Sequence, residues 1–334
     1  MAVFRVNVTA EGALLTPRGE PATGALARLL PDLPLGADVC VLIHGFRYTW
    51  RQQIAPEACP HARLYATRPV RPSPRRRPCR AAWPAELGFA QAEGRERLAI
   101  AFAWEARVGR HGRLGFGVVH QRAERAGAAL AGLLTRLAGL RPDLAVDIFA
   151  HSLGARVALA AGLVAPQLPF RRLLLLGAAE HVAAADAWLS TVPQAEAIHL
   201  LSRANDLYDA AFAIGAPGER GRAPLGRRGL GRRHPRWLDL QIDHPAFRSW
   251  TAARDRPLAR APERVSHWHF YADHGAMALY RGWLRDPRAG LVPRLRGDGV
   301  PEVLEPRWAR LLPRFGRGFS RGTRAILAVD PRQA

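Results

Sequence analysis

Apolar residues occur along this chain in two alternating patterns. Runs apolar at nearly every position, at 38–43, 97–104, 144–149, 173–176 and 197–201, predict strands of a parallel sheet, since a strand covered on both faces needs apolar side chains on both. Residues 1–8 alternate apolar and polar, as a further strand would. Over 119–140 the period lengthens. Ala123, Ala126, Leu130, Leu133, Leu134 and Leu137 fall on one helical face, and Arg141-Pro142-Asp143 ends the helix because proline cannot continue the ladder. A second helix is expected from Ser152 through Ala155, Val157, Ala158 and Ala161. Strand, crossover helix, strand, helix is the right-handed βαβ rhythm of an α/β protein.

That rhythm continues across the irregular stretches, so the expectation is a single domain over 1–334. Loop insertions that could act as lids are expected at 51–93 and 215–248, and an irregular tail at 286–334. Proline and arginine crowd 68–80, which predicts an extended exposed loop. With 334 residues, 48% of them hydrophobic, the chain can bury a large core without disulfides. The longest apolar run, 173–179, is far short of the roughly 20 residues that span a bilayer, so no membrane span is expected. No leader pattern precedes the first strand, and Cys40, Cys59 and Cys79 cannot all pair internally, so a cytoplasmic protein is expected.

The charge alters this picture less than its size suggests. The 49 basic residues against 28 acidic ones give +21, yet every basic residue is arginine and none is lysine. Such one-sided usage, in a chain rich in Ala, Leu, Pro and Gly, points to coding bias, and no specific nucleic-acid role is read from it.

The chemistry concentrates in Asp147-Ile-Phe-Ala-His-Ser-Leu-Gly-Ala-Arg. An apolar strand, a tight turn carrying Ser152 and an apolar helix would lift the hydroxyl out of the sheet, provided the neighbours are small. Ala150 and Gly154 are. The usual pattern has glycine where Ala150 stands. A serine needs a base and an oxyanion site. At the end of an earlier apolar strand, Ile43-His44-Gly45-Phe46 offers the Phe46 N–H to stand beside the Leu153 N–H as oxyanion donors.

These motifs, Val41-Leu-Ile-His-Gly-Phe46 and Ala150-His-Ser-Leu-Gly154 in that order, resemble the α/β-hydrolase superfamily over about 38–284, and within it a bacterial serine-hydrolase branch. The resemblance implies an eight-stranded, mostly parallel sheet with helices on both faces, no cofactor, no metal, and acyl transfer to water from a small ester-type substrate. It also implies a Ser-acid-His order. Asp206 is preferred over Asp209 as the acid, and His267 over His269 and His274 as the base; no strand leading to His267 is visible. Asp209 also reads as a carboxylate at a helix N-terminus, and His274 as a cap. His151 is expected to pack beside the nucleophile.

Two other readings compete. His267, His269, Asp273 and His274 cluster in sequence, but their spacing matches no common zinc motif. A non-catalytic protein of the same fold could instead bind anionic partners through its arginine-rich loops. Trp50, Trp237 and Trp250 read either as pocket walls or as aromatics packed beneath loops. Esterase, lipase, thioesterase and amidase chemistries all remain open, as does the oligomeric state.

Overall fold

The computed structural model describes residues 3–51, 58–68, 82–89, 97–108, 115–216, 223–261 and 264–305. Eight strands form one sheet. They are β1 (Val3–Val8), β2 (Leu14–Leu15), β3 (Asp38–Ile43), β4 (Arg97–Trp104), β5 (Val146–His151), β6 (Phe170–Leu176), β7 (Glu196–Leu201) and β8 (Trp237–Gln241). Their order is β2-β1-β4-β3-β5-β6-β7-β8. Every pairing is parallel except that of β2 with β1.

The longer helices are α1 (Ala22–Leu29), α2 (Phe116–Leu140), α3 (Gly154–Val164), α4 (Val182–Thr191), α5 (Asp206–Gly215), α6 (Pro245–Ala252), α7 (His274–Arg285) and α8 (Leu291–Gly297). Alternation along the strands divides the interior into two cores. Val39, Val41 and Ile43 of β3 face a core shared with α1, α2, α3 and α4. Cys40 and Leu42 face the other, shared with α7, α8 and the aromatic cluster of Tyr65, Trp83 and Phe89. Both faces are therefore dry, which is why the strand sequences are apolar throughout.

Some expected boundaries move. The strand predicted at 144–149 runs from Val146 to His151, because the extended backbone continues through a polar residue up to the turn. The helix expected from Ser152 begins at Gly154, since Ser152 adopts φ 55° and cannot be part of a right-handed helix. The segment 215–248, expected to be a loop insertion, contains β8. Its strand character was hidden by arginine- and glycine-rich surroundings and by Asp239, whose carboxylate is occupied by His199 Nδ1 (2.8 Å) and the Leu230 N–H (2.9 Å). The tail expected to be irregular contains α8. In 51–93 the single turns Pro60–Arg63 and Trp83–Glu86 lead Tyr65, Trp83, Leu87 and Phe89 into the core, each fully buried. The arginine-rich stretch at 69–80, with Cys79, and the residues after Glu305 lie outside the described residues.

Many arginines are spent inside the fold. Arg141 donates to the carbonyls of Leu30, Leu33 and Pro34, and Arg236 to those of Leu189, Val192 and Ala195 at the end of α4. Arg171 joins Asp147 to Asp38 where β5 and β3 begin. These forked donors satisfy acceptors left open at helix and strand ends, so the formal charge overstates the basic surface. No helix among the described residues is long and apolar enough to cross a membrane.

Candidate active site

The site residues gather at the C-terminal ends of β3, β5 and β7, where an open α/β sheet leaves a crevice. Ser152 follows β5 directly. Its φ of 55° is a conformation that costs a non-glycine residue about 1–3 kcal/mol, and neighbouring strands hold it there. The Ser152 N–H donates to Leu176 O (2.9 Å), while Ser152 O accepts from the N–H groups of Ala155 (3.0 Å) and Ala179 (3.1 Å). Close approach explains the small flanking residues. A Cβ on Gly154 would lie 2.6 Å from Ile43 O, and one on Gly45 2.7 Å from the Ser152 Cβ. Ala150 points into the core beneath α3, so a methyl group fits where the usual pattern has glycine.

Two backbone donors flank the serine. The Leu153 N–H and the Phe46 N–H make no hydrogen bond with any described residue, whereas the next N–H, that of Arg47, donates to Ala106 O at 2.8 Å. An unpaired buried N–H is rare in folded proteins and commonly marks a ligand position; Leu153 is fully buried. His44 shapes this loop from below. Its Nδ1 donates to Gly45 O (2.9 Å), its Nε2 accepts from the Trp104 N–H (3.1 Å), and its own N–H donates to Tyr65 Oη (2.9 Å). Acting as both donor and acceptor, the ring must be neutral, and burial lowers its pKa to about 4.

Burial likewise lowers the pKa of His61 to about 3 and that of His120 to about 4. Histidines in the unfolded chain protonate near pH 6.5. Between there and pH 4 the unfolded state binds more protons than the folded one, so stability falls as the pH falls. Each unit of separation is worth ~1.4 kcal/mol. Urea unfolding at pH 7, 5.5 and 4.5 is expected to show a progressive loss of about 2 kcal/mol or more, and equal midpoints at the three pH values would count against this account.

The three candidate histidines are placed quite differently. His274 is exposed and pairs with Glu86 at 3.0 Å. His269 is buried, and burial lowers its pKa. His267 lies beside the elbow on a loop, and no strand leads to it among the described residues. Its ring is 4.4 Å from that of His151, and His151 Nε2 donates to the His267 carbonyl oxygen (2.8 Å). The same loop is tied to the end of β7 by the Ser266 N–H donating to Ala204 O (2.9 Å).

His267 Nδ1 lies 2.6 Å from Asn205 Oδ1, and Asn205 Nδ2 donates to Asp209 Oδ1 at 2.8 Å. Since a carboxylate only accepts, Asn205 must turn its NH₂ toward Asp209 and its oxygen toward His267. The histidine therefore carries its proton on Nδ1, which makes Nε2 the basic nitrogen of the ring. Tyr208 stacks on the His267 ring at 4.3 Å and 14°. Asp206 is buried in the first turn of α5, where negative charge is favoured. Among the described residues Ser152 Oγ makes no hydrogen bond.

Asn205 and Tyr208 were not singled out from the sequence. The available signal was the spacing of Asn205 and Asp209, four residues apart and so on one helical face. Of the tryptophans, Trp237 is core, Trp50 Nε1 donates to Val8 O, and Trp250 stacks on Phe247. A buried pair stabilises the other side of the elbow: Arg156, on α3, donates to both carboxylate oxygens of Glu180 at 2.9 Å.

No protein-family model and no curated protein matches the chain. Among solved structures it is similar to the peroxisomal α/β-hydrolase Lpx1 of Saccharomyces cerevisiae, at 10% identity over 84% of this chain and 85% of that one, with a TM-score of 0.32. That likeness is too slight to support an argument. The strand order, the helices on both faces and the serine on the left-handed turn after β5 are what make this the α/β-hydrolase fold.

Proposed function

We propose that the protein is a serine hydrolase acting on carboxylic esters or thioesters through an acyl-enzyme. The observation that carries this reading is the strained Ser152, held at φ 55° beside the unpartnered N–H groups of Leu153 and Phe46. A strained residue that its surroundings over-determine is a common feature of active sites. Ser152 Oγ attacks the carbonyl carbon while His267 Nε2 takes its proton, a contact that closes to hydrogen-bond distance when substrate binds. The carbonyl oxygen becomes an oxyanion between the two N–H groups. The imidazolium then returns the proton to the leaving alcohol or thiol. Water, deprotonated by the same nitrogen, attacks the acyl-enzyme and releases the acid and Ser152.

On this reading Asn205 holds the His267 tautomer and Asp209 provides the negative charge behind it. The hydrogen bonds support that arrangement, while the sequence pattern favours Asp206. A cytoplasmic location, with Cys40 and Cys59 as buried free thiols, belongs to the same reading.

Labelling with a fluorophosphonate tests the proposal, because phosphorus bonds to an activated Oγ as fluoride leaves. Modification mapped to Ser152, absent in Ser152→Ala and strongly slowed in His267→Ala, is the expected result. A folded sample that takes up no label would favour the non-catalytic reading.

A further inference from the structure

A cavity of about 810 Å³ opens between α6, the last turn of α7 and α8. It lies at the opposite end of the sheet from Ser152. Arg172, near the start of β6, donates to the carbonyls of Trp283 and Arg288, and Glu196, the first residue of β7, accepts from the N–H groups of Leu291 and Val292. Ser152, in contrast, follows the last residue of β5. The volume is within the range of small-molecule sites.

Five arginines line it, at 254, 256, 285, 288 and 294, against two acids, Asp286 and Asp298. The formal surplus is therefore three positive charges. Three of the arginines are committed. Arg288 grips Asp286 through two bonds of 2.9 Å, and Arg294 reaches the same carboxylate at 3.1 Å. Those contacts, led by the Arg288 hydrogen bond, hold Asp286 well below the usual carboxylate range. Arg254 donates to Asp298 O (2.7 Å) and covers the Trp250 ring at 4.2 Å.

Arg256 and Arg285 are different. The Arg256 guanidinium makes no hydrogen bond or ion pair with any described residue, its backbone N–H alone donating to Thr251 O (3.0 Å), and among the described residues the Arg285 guanidinium reaches only Gly88 O, at 3.5 Å. Both are exposed. Arg256 lies across α7 at Gly282, where a Cβ would come within 2.7 Å of its Nη1, and Arg285 follows Gly282 by three residues on the same helical face. Two forked donors thus share one wall of a concave site in which the Asp286 carboxylate is already taken by Arg288 and Arg294.

We propose that this cavity binds a small phosphoanion, anchored by Arg256 and Arg285 and separate from the catalytic crevice. Planar guanidinium forks match phosphate oxygens two at a time, and a surplus of three charges suits a di- or trianion better than a monocarboxylate.

Pyrophosphate titrated calorimetrically into the full chain at fixed salt tests this. One saturable site is expected, weakened at least tenfold in Arg256→Gln/Arg285→Gln. It should be unchanged in Arg18→Gln/Arg136→Gln, which removes the same charge from exposed positions outside the cavity. Equal weakening in the two double variants, or no saturable binding, would overturn the proposal. Fluorophosphonate labelling of Ser152 should be the same in both variants, so this test and that of the hydrolase reading fail independently.

Discussion

Replacing Ser152 with alanine is expected to reduce hydrolysis of a short-chain p-nitrophenyl ester by on the order of 10⁴-fold or more, with the protein still folded. The size follows from the covalent route. Without Oγ no acyl-enzyme forms, and the residual rate is what the oxyanion donors and binding achieve with water alone. Alanine keeps the Cβ that packs against Gly45. It also keeps the backbone bonds to Leu176, Ala155 and Ala179, so the elbow survives and the loss reports chemistry. His267→Ala is expected to cost about as much, because residues of one catalytic unit do not contribute additively. The double variant should be little worse than either single one. Retention of esterase activity in purified Ser152→Ala would sink the mechanism.

The second large effect concerns the group behind His267. Asn205→Ala is expected to lower kcat by about 10²- to 10³-fold with a smaller change in KM, since the imidazole loses the partner that keeps its proton on Nδ1. The bond at stake is the 2.6 Å contact to Asn205 Oδ1, backed by the 2.8 Å bond from Asn205 Nδ2 to Asp209. Asp209→Asn should give a loss of intermediate size, because it removes the negative charge that favours the imidazolium while preserving shape. Asp206→Asn is expected to stay within a few-fold of the parent. A pH–rate profile separates orientation from structure, since the apparent pKa of the base should drop in Asp209→Asn and stay put in Asp206→Asn. If Asp206→Asn proved the crippling change and Asn205→Ala mild, the acid would be the residue that the sequence pattern favours.

Much of the scaffold is legible in the sequence. Runs such as 38–43 and 97–104 coincide with β3 and β4 at both ends, because a strand buried on both faces admits almost no polar residue and its limits show in composition alone. The turn that carries Ser152 was legible for a related reason. Its demands for an apolar strand, small neighbours and an apolar helix fall on residues adjacent in sequence. β8 was not, since five residues containing Asp239 become a strand only by adding to the edge of β7.

The sequence by itself determined the α/β class, the elbow at Ser152 and the glycine turn at Gly45, all consequences of local pattern and local sterics. Only the tertiary structure decided which of three histidines stands beside that elbow and what faces its ring. It also decided that Arg256 and Arg285 share one cavity wall while Arg141, Arg171 and Arg236 are spent on carbonyls and carboxylates. The physical reason is common to these cases. A hydrogen bond between His267 and Asn205 joins residues 62 positions apart, and nothing in the local preferences of either residue encodes the distance between them. That distance is set by how β7, β8 and the loop before α7 pack together.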